Sequence, residues 1–342
     1  MRNPLRTNAI RPWLFLVIFP GCIPGCSLDS VNAPDVGESP LPAASAFTEW
    51  VNATGLGQIA GTHPDLNTSA LEGCPYVSPD GKTLFMASNR AGGLGGIDIW
   101  VSTRATPSAG WGQPVNAGPQ VNSASNDFCP TLAADGHAFF FVSNREGGCG
   151  GDDIFQTRRR DDGTFEEPLR LSCQVNSAGN EAAPFLIREA GIEPALYFSS
   201  TRAGGFAADP PGAVSGDADI YRSEMRDGVY GPAALVANIN TAGNDQQPNL
   251  RRDGLEIYFA SNRSGTPGLL GTLGGADLFS ASRPILQAPW STPLDLGATV
   301  NSAAGDETRP SLSWDAMTLY FGSNRPGGQG GSDILVTTRQ AR

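Results

Sequence analysis

Acidic residues recur along this 342-residue chain at spacings that could do chemistry. An acid stands three residues before a proline five times, at Glu72, Asp127, Glu181, Asp245 and Glu307. A second acid recurs at Asp98, Asp153, Asp219, Asp277 and Asp333, and between the two lies an arginine: Arg90, Arg145, Arg202, Arg263 and Arg325. A ring of carboxylates at the mouth of a channel would draw a cation or a basic partner. Paired acids of different pKa are also what glycoside hydrolysis requires. A structural role competes with both, because an Arg fork grips carboxylates and would tie the loops of a repeated unit together. One arginine for two acids in every copy favours that structural role.

Other chemistries are narrowed by what the chain lacks. His63 and His137 are the only imidazoles, which disfavours histidine zinc sites. Lys82 is the only lysine and follows no phosphate-loop glycines. A net charge of −11 argues against nucleic acid. No serine-nucleophile motif is visible, and His137 adjoins an Asp135-Gly136 turn on the face opposite the acids. Cys74, Cys129, Cys149 and Cys173 are even in number, so disulfides are favoured over metal ligation. Pairing 74 with 129 joins matched positions in adjacent copies, and pairing 149 with 173 stays within one copy; sequence leaves the other pairings open.

These residues are positioned by a repeat. Segments beginning at Pro75, Pro130, Pro184, Pro248 and Pro310 share one order: a short run, usually Asp-Gly, an apolar strand, Ser-(Asn/Ser/Thr)-Arg, a Gly-rich loop, then Asp and an apolar strand. A fourth element opens on an aromatic residue, at Trp111, Phe165, Tyr230 and Trp290. In its clearest forms it carries Pro and Val-Asn-Ser. Four strands with Asp-Gly hairpins make an antiparallel unit that cannot bury both faces alone, and radial stacking of such units is the logic of a propeller. The last copy lacks its fourth strand, and Trp50 to Asn67 matches Trp290 to Asn301. The expectation is therefore an all-β, five-bladed propeller in which the N-terminal strand completes the C-terminal blade. Six blades would need a repeat the chain does not contain. The aromatic starts read as packing between blades and less well as sugar platforms.

Ser78-Pro79-Asp80-Gly81, Ser88-Asn89-Arg90 and Gly92-Gly93-Leu94-Gly95-Gly96-Ile97-Asp98, with their counterparts, resemble the WD-repeat-like propeller repeat with the Pro-Asp signature. Tol-type periplasmic propellers and many bacterial surface lipoproteins carry that repeat. The resemblance covers residues 50–342 and implies a binding protein with no single shared activity. The Gly-rich loops are also similar to calcium-binding nonapeptides, but one loop per blade suits tight turns better. No cofactor is expected, with calcium the one candidate. From Arg to Asp the loop runs 8 steps in blades one, two and five, but 17 in blade three and 14 in blade four. The insertions, 206–217 and 265–273, carry Phe206, Pro210, Pro211, Leu269, Leu270 and Leu273, and one-sided insertions often form a binding surface.

Arg2, Arg6 and Arg11 precede an apolar run at 13–19, as in a secretory signal. Ile23-Pro24-Gly25-Cys26 resembles a lipobox, which implies lipidation at Cys26; Phe19-Pro20-Gly21-Cys22 is a competing site. Residues 1–26 thus read as the signal, 27–46 as a flexible linker and 47–342 as the propeller. The leading expectation is a non-enzymatic scaffold of the bacterial envelope, an outer-membrane lipoprotein facing periplasm or surface. It would touch the membrane only through its lipid and bind an envelope protein, peptide or polysaccharide, but no nucleic acid. A glycan-processing enzyme using channel carboxylates is the alternative. The enzyme needs unpaired acids that break the fivefold pattern, whereas the scaffold lets every acid find an arginine.

Overall fold

The computed structural model describes residues 41, 43, 47–188, 193–206 and 217–342. The expected signal, Cys26, most of the expected linker, and Pro210 and Pro211 lie outside them. Each repeat folds as an antiparallel meander because its turn residues fall where its apolar runs end. In blade one, Glu72–Val77 pairs with Thr83–Ser88, which pairs with Asp98–Thr103, which pairs with Val115–Asn116. The turn after the first strand carries Gly81 at φ 68°, and Gly136 and Gly254 repeat it at 75° and 67°. The same order gives blade two (first strand Asp127–Leu132), blade three (Glu181–Ile187) and blade four (Asp245–Leu250).

Blade five, Glu307–Leu312, Thr318–Ser323 and Asp333–Thr338, takes its outer strand, Thr54–Gly55, from the other end of the chain. Thr54 faces Val336 and Gly55 faces Leu335. The first strands pack blade against blade, and the fifth packs on the first. The result is a closed ring of five four-stranded sheets, a five-bladed β-propeller, as the repeats require. Blade three adds a small hairpin in which Val229–Tyr230 pairs with the end of Asp219–Arg226.

The second strands are the most apolar and the best sealed; every residue of Thr83–Ser88, Ala195–Ser200 and Glu256–Ser261 is buried. That is what a strand covered on both faces by neighbouring blades requires. The aromatic starts are buried too: Trp50, Trp111, Phe165, Tyr230 and Trp290 expose 8% or less. Arg104 lies over Trp111 and Arg283 over Trp290, at 4.0 and 4.2 Å from the ring centroids. These rings fill the spaces between blades and are not open sugar platforms.

Each innermost strand is bulged at the residue before its proline. Cys74, Cys129, Ala183, Gln247 and Arg309 all take left-handed backbone, with φ between 46° and 59°. Proline is tolerated here because these strands are edges facing the axis, where no partner asks for its missing N–H. Cys74 is bonded to Cys129 across blades one and two, and Cys149 to Cys173 within blade two, so both favoured pairings form.

Candidate functional site

All five acids before the prolines sit on one face of the ring, where the first strand begins. All five are fully buried, at 0% exposure. Arg90 meets Glu72 at 3.1 Å, Arg145 meets Asp127 at 2.6 Å, Arg202 meets Glu181 at 3.3 Å and Arg325 meets Glu307 at 2.9 Å; Arg263 pairs likewise with Asp245. The carboxylates also accept from the connector that arrives from the previous blade. Thr68 N–H donates to Glu72 at 2.7 Å, Ser177 N–H to Glu181 at 2.8 Å and Ser302 N–H to Glu307 at 2.7 Å. In four blades the Nη2 that meets the acid also donates to a backbone carbonyl of that connector or the turn before it, Val121, Val175, Ile239 or Val300, and in blade one Arg90 Nη1 donates to the Asp65 carbonyl. Glu72, Asp127, Glu181, Asp245 and Glu307 are therefore not a binding ring for a partner. They are internal ion pairs that lock each blade to the one before it, because burial leaves no oxygen for a ligand.

The second acids do different work, and the arginines do not reach them. Asp153, Asp219 and Asp333 accept, through Oδ2, the N–H of Cys149 (2.6 Å), Phe206 (2.7 Å) and Gln329 (2.7 Å); Asp98 and Asp277 do the same for Leu94 and Leu273. The Gly-rich loop folds onto this oxygen so closely that a Cβ at Gly148 or Gly205 would stand 2.2 Å from it. That approach accounts for the glycines without calcium, and no group of three potential metal ligands exists among the described residues.

The position beside the second acid, on the outer strand, varies from blade to blade: Asn116, Arg170, Leu235, Asp295 and, in blade five, Gly55. In blade one Asn116 donates to Asp98 at 3.2 Å. In blade four an acid replaces that donor, and among the described residues Asp277 Oδ1 and Asp295 Oδ2 are buried with no donor to accept from. Burial first, and the neighbouring Asp295 with it, lift the Asp277 carboxyl to about 7. A carboxyl raised above its unfolded value of about 3.9 stabilises fully below that value and loses the contribution as pH rises through 7. Asp295→Asn restores the donor of blade one. We expect it to raise stability by about 1 kcal/mol near pH 8 and to change little near pH 4.5, read by denaturant melts at both pH values.

The candidate loop residues are exposed: Phe206 by 47%, Leu269 by 50% and Leu270 by 40%. They share the acid face on adjacent blades. The blade-four loop curls around the carbonyl of Thr266, which accepts from the N–H groups of Leu269, Leu270 and Gly271. Its Leu269 carbonyl accepts from Asp295 N–H at 2.8 Å, which draws the loop outward over the outer strand and away from the axis. At the axis itself the bulge residues and prolines leave a void of only about 30 Å³, and no carboxylate lines it.

A large concavity is one the sequence did not announce. It is a cleft of about 1160 Å³ between blades three and four, on the face opposite the acids. The connector of blade three, from Arg226 to Leu235, forms one side, and that of blade four, from Arg283 to Trp290, the other. Glu224 is held by Arg222 at 2.7 Å and Arg226 at 3.0 Å, which keeps its carboxyl below the usual range. Glu193, Gln174, Gln287 and Arg283 add polar groups, over the buried edges of Tyr197, Tyr230 and Trp290.

No protein-family profile matches the sequence, and no curated protein matches it. Solved structures do share its architecture. A thermostable family-43 glycoside hydrolase aligns over 81% of this chain and 92% of its own, at 12% identity and TM-score 0.53. The α-L-arabinofuranosidase of Podospora anserina, solved with cellotriose, aligns over 88% and 99%, at 12% identity and TM-score 0.52. A TolB from Acinetobacter baumannii aligns over 78% of this chain and 54% of its own, at 15% identity and TM-score 0.43. At such identities the likeness is one of fold.

Proposed function

We propose that this protein is a carbohydrate-recognising propeller and that a glycan lies in the cleft between blades three and four. This is the polysaccharide-binding form of the scaffold expected from the sequence, and lipid anchoring through Cys26 belongs to the same reading. The observation that carries it is the cleft itself. Its volume suits an oligosaccharide, and it offers arginine, glutamate and glutamine groups for hydroxyls beside the exposed apolar side chains of Val229 and Leu235, the mix of apolar wall and few polar groups that ligand sites use. The structural neighbours that act on glycans lend this class of ligand a fold-level analogy.

Glycan hydrolysis is the second reading. It is favoured by those same neighbours and by two carboxylates, Glu193 and Glu224, in one cleft. Hydrolysis through the ring acids is not proposed, since each is sealed by its arginine.

Calorimetric titration with arabinan and cello-oligosaccharides, alongside an assay for released reducing ends, separates the readings. Recognition predicts binding without release, weakened about tenfold in Arg222→Ala. Release of reducing ends that Glu224→Gln abolishes would establish the hydrolase. Neither binding nor release of any glycan tried would sink both readings.

A further inference from the structure

Arg309 breaks the fivefold pattern at the axis. Its counterparts at the bulge are Cys74, Cys129, Ala183 and Gln247, so it alone brings a charge there. A guanidinium cannot shed its charge by losing a proton, and when half-buried it needs an anion or water. Arg309 has neither a carboxylate partner nor a complete set of hydrogen bonds among the described residues. Its Nε is buried with nothing to donate to, and burial alone accounts for its lowered pKa, with no acid close enough to oppose it.

The side chain has a prepared course. It leaves blade five and lies across Gly73 of blade one, where a Cβ would stand 3.3 Å from Nη1. The counterparts of Gly73 are Phe128, Ala182, Gln246 and Thr308, so the only glycine at this position is the one the arginine crosses.

So placed, Arg309 forms one wall of a cavity of about 360 Å³ on the acid face, distinct from the cleft between blades three and four. Asn126, Asn144 and Asp152 form other walls. Asn126 accepts Ile97 N–H at 3.0 Å and Asn144 accepts Asn126 N–H at 2.9 Å through their side-chain oxygens, which leaves their NH₂ ends as donors. Among the described residues only the backbone of Asp152 is engaged, its N–H with Asn180 at 3.0 Å and its carbonyl with Glu181 N–H at 2.8 Å. The five ion pairs around this mouth are neutral as a set. The cavity wall therefore has one cationic end with amide donors, Arg309 with Asn126 and Asn144, and one acidic end, Asp152.

We propose that this cavity binds a small zwitterion, an α-amino acid, with its carboxylate on Arg309 and the two amides and its ammonium on Asp152. An anion alone would leave Asp152 unanswered, and a cation alone would leave Arg309 so. The volume lies at the small end of the range for ligand sites and suits a molecule of this size.

The test is thermal shift and calorimetry on the full chain with each proteinogenic amino acid, using acetate and methylammonium as half-ligands. At least one amino acid should bind and raise the Tm, with each half-ligand about tenfold weaker or more. Arg309→Gln and Asp152→Asn should each weaken that binding about tenfold or more. The Asp152 carboxylate holds no structural bond, so Asp152→Asn keeps the fold and its loss of binding reports the site. Binding that acetate matches, or that Asp152→Asn leaves unchanged, overturns the zwitterion; no binding by any amino acid overturns the site.

Discussion

Arg263→Ala should lower the unfolding free energy by about 3–5 kcal/mol, the largest effect of any single ring arginine. Arg263 and Asp245 are the most completely enclosed of the five pairs, with side chains 6% and 0% exposed. Removing the guanidinium leaves the Asp245 carboxylate with Ser261 Oγ and the Thr241 hydroxyl and N–H as donors, but no counter-charge. It also empties the space over Phe259 and Phe279, whose centroids lie 4.9 and 4.8 Å from Cζ. Arg145→Ala is the control. Its side chain is 22% exposed, so water can replace part of what it supplies to Asp127, and the loss should be smaller. Urea melts of the two variants decide the matter. Equal losses would mean that the pairs do not derive their strength from enclosure.

Deleting residues 47–67 should abolish folding of the monomer. The segment supplies the outer strand of blade five and the buried side chains Phe47, Trp50, Leu56 and Leu66. Burial of four such side chains is worth about 1.5–3 kcal/mol each, and their sum approaches the whole stability of an ordinary domain. Two further losses follow. Arg339, which bridges Glu256 at 3.1 Å and lies 3.9 Å from the Phe47 centroid, loses its aromatic cover. Asn67, which accepts Ile334 N–H at 2.8 Å and donates to its carbonyl at 2.9 Å, leaves a buried peptide unpaired. Far-UV circular dichroism and size-exclusion chromatography should show an unfolded or aggregated chain. A peptide of residues 47–67 added in trans should restore the folded species. A cooperative melt from the truncated chain alone would show that closure is dispensable.

The architecture was legible because its signals are local and repeated. Asp-Gly turns, Ser-Asn-Arg strand ends and prolines at fixed offsets state where each strand stops, and the missing fourth strand of the last copy fixes the count at five. The candidate sites were less legible because they depend on how blades sit together. Val121-Asn122-Ser123 was visible as a pattern, but not that Asn122 accepts Ile99 N–H at 2.8 Å and donates to its carbonyl at 2.9 Å, doing for one peptide what a longer outer strand would do. Asn176, Asn240 and Asn301 repeat the device. The recurring acids could be read as a binding ring or as partners for the arginines, the reading the sequence favoured, and burial shows that the arginines seal them. The cleft of blades three and four arises where two connectors of different length meet, which no single repeat encodes. Arg309 could have been found by asking which bulge position carries a charge.

The pairing of Thr54–Gly55 with Leu335–Val336 has a consequence for synthesis. The chain grows from its N-terminus, and loops this long close late. The segment carrying Phe47 and Trp50 is made before any other strand of the ring, yet its partner strand is the last of the ring to appear. Four blades can form while that first strand waits with its aromatic residues uncovered. The nascent protein is therefore most vulnerable to aggregation at the end it has had longest, until its final strand arrives to cover it.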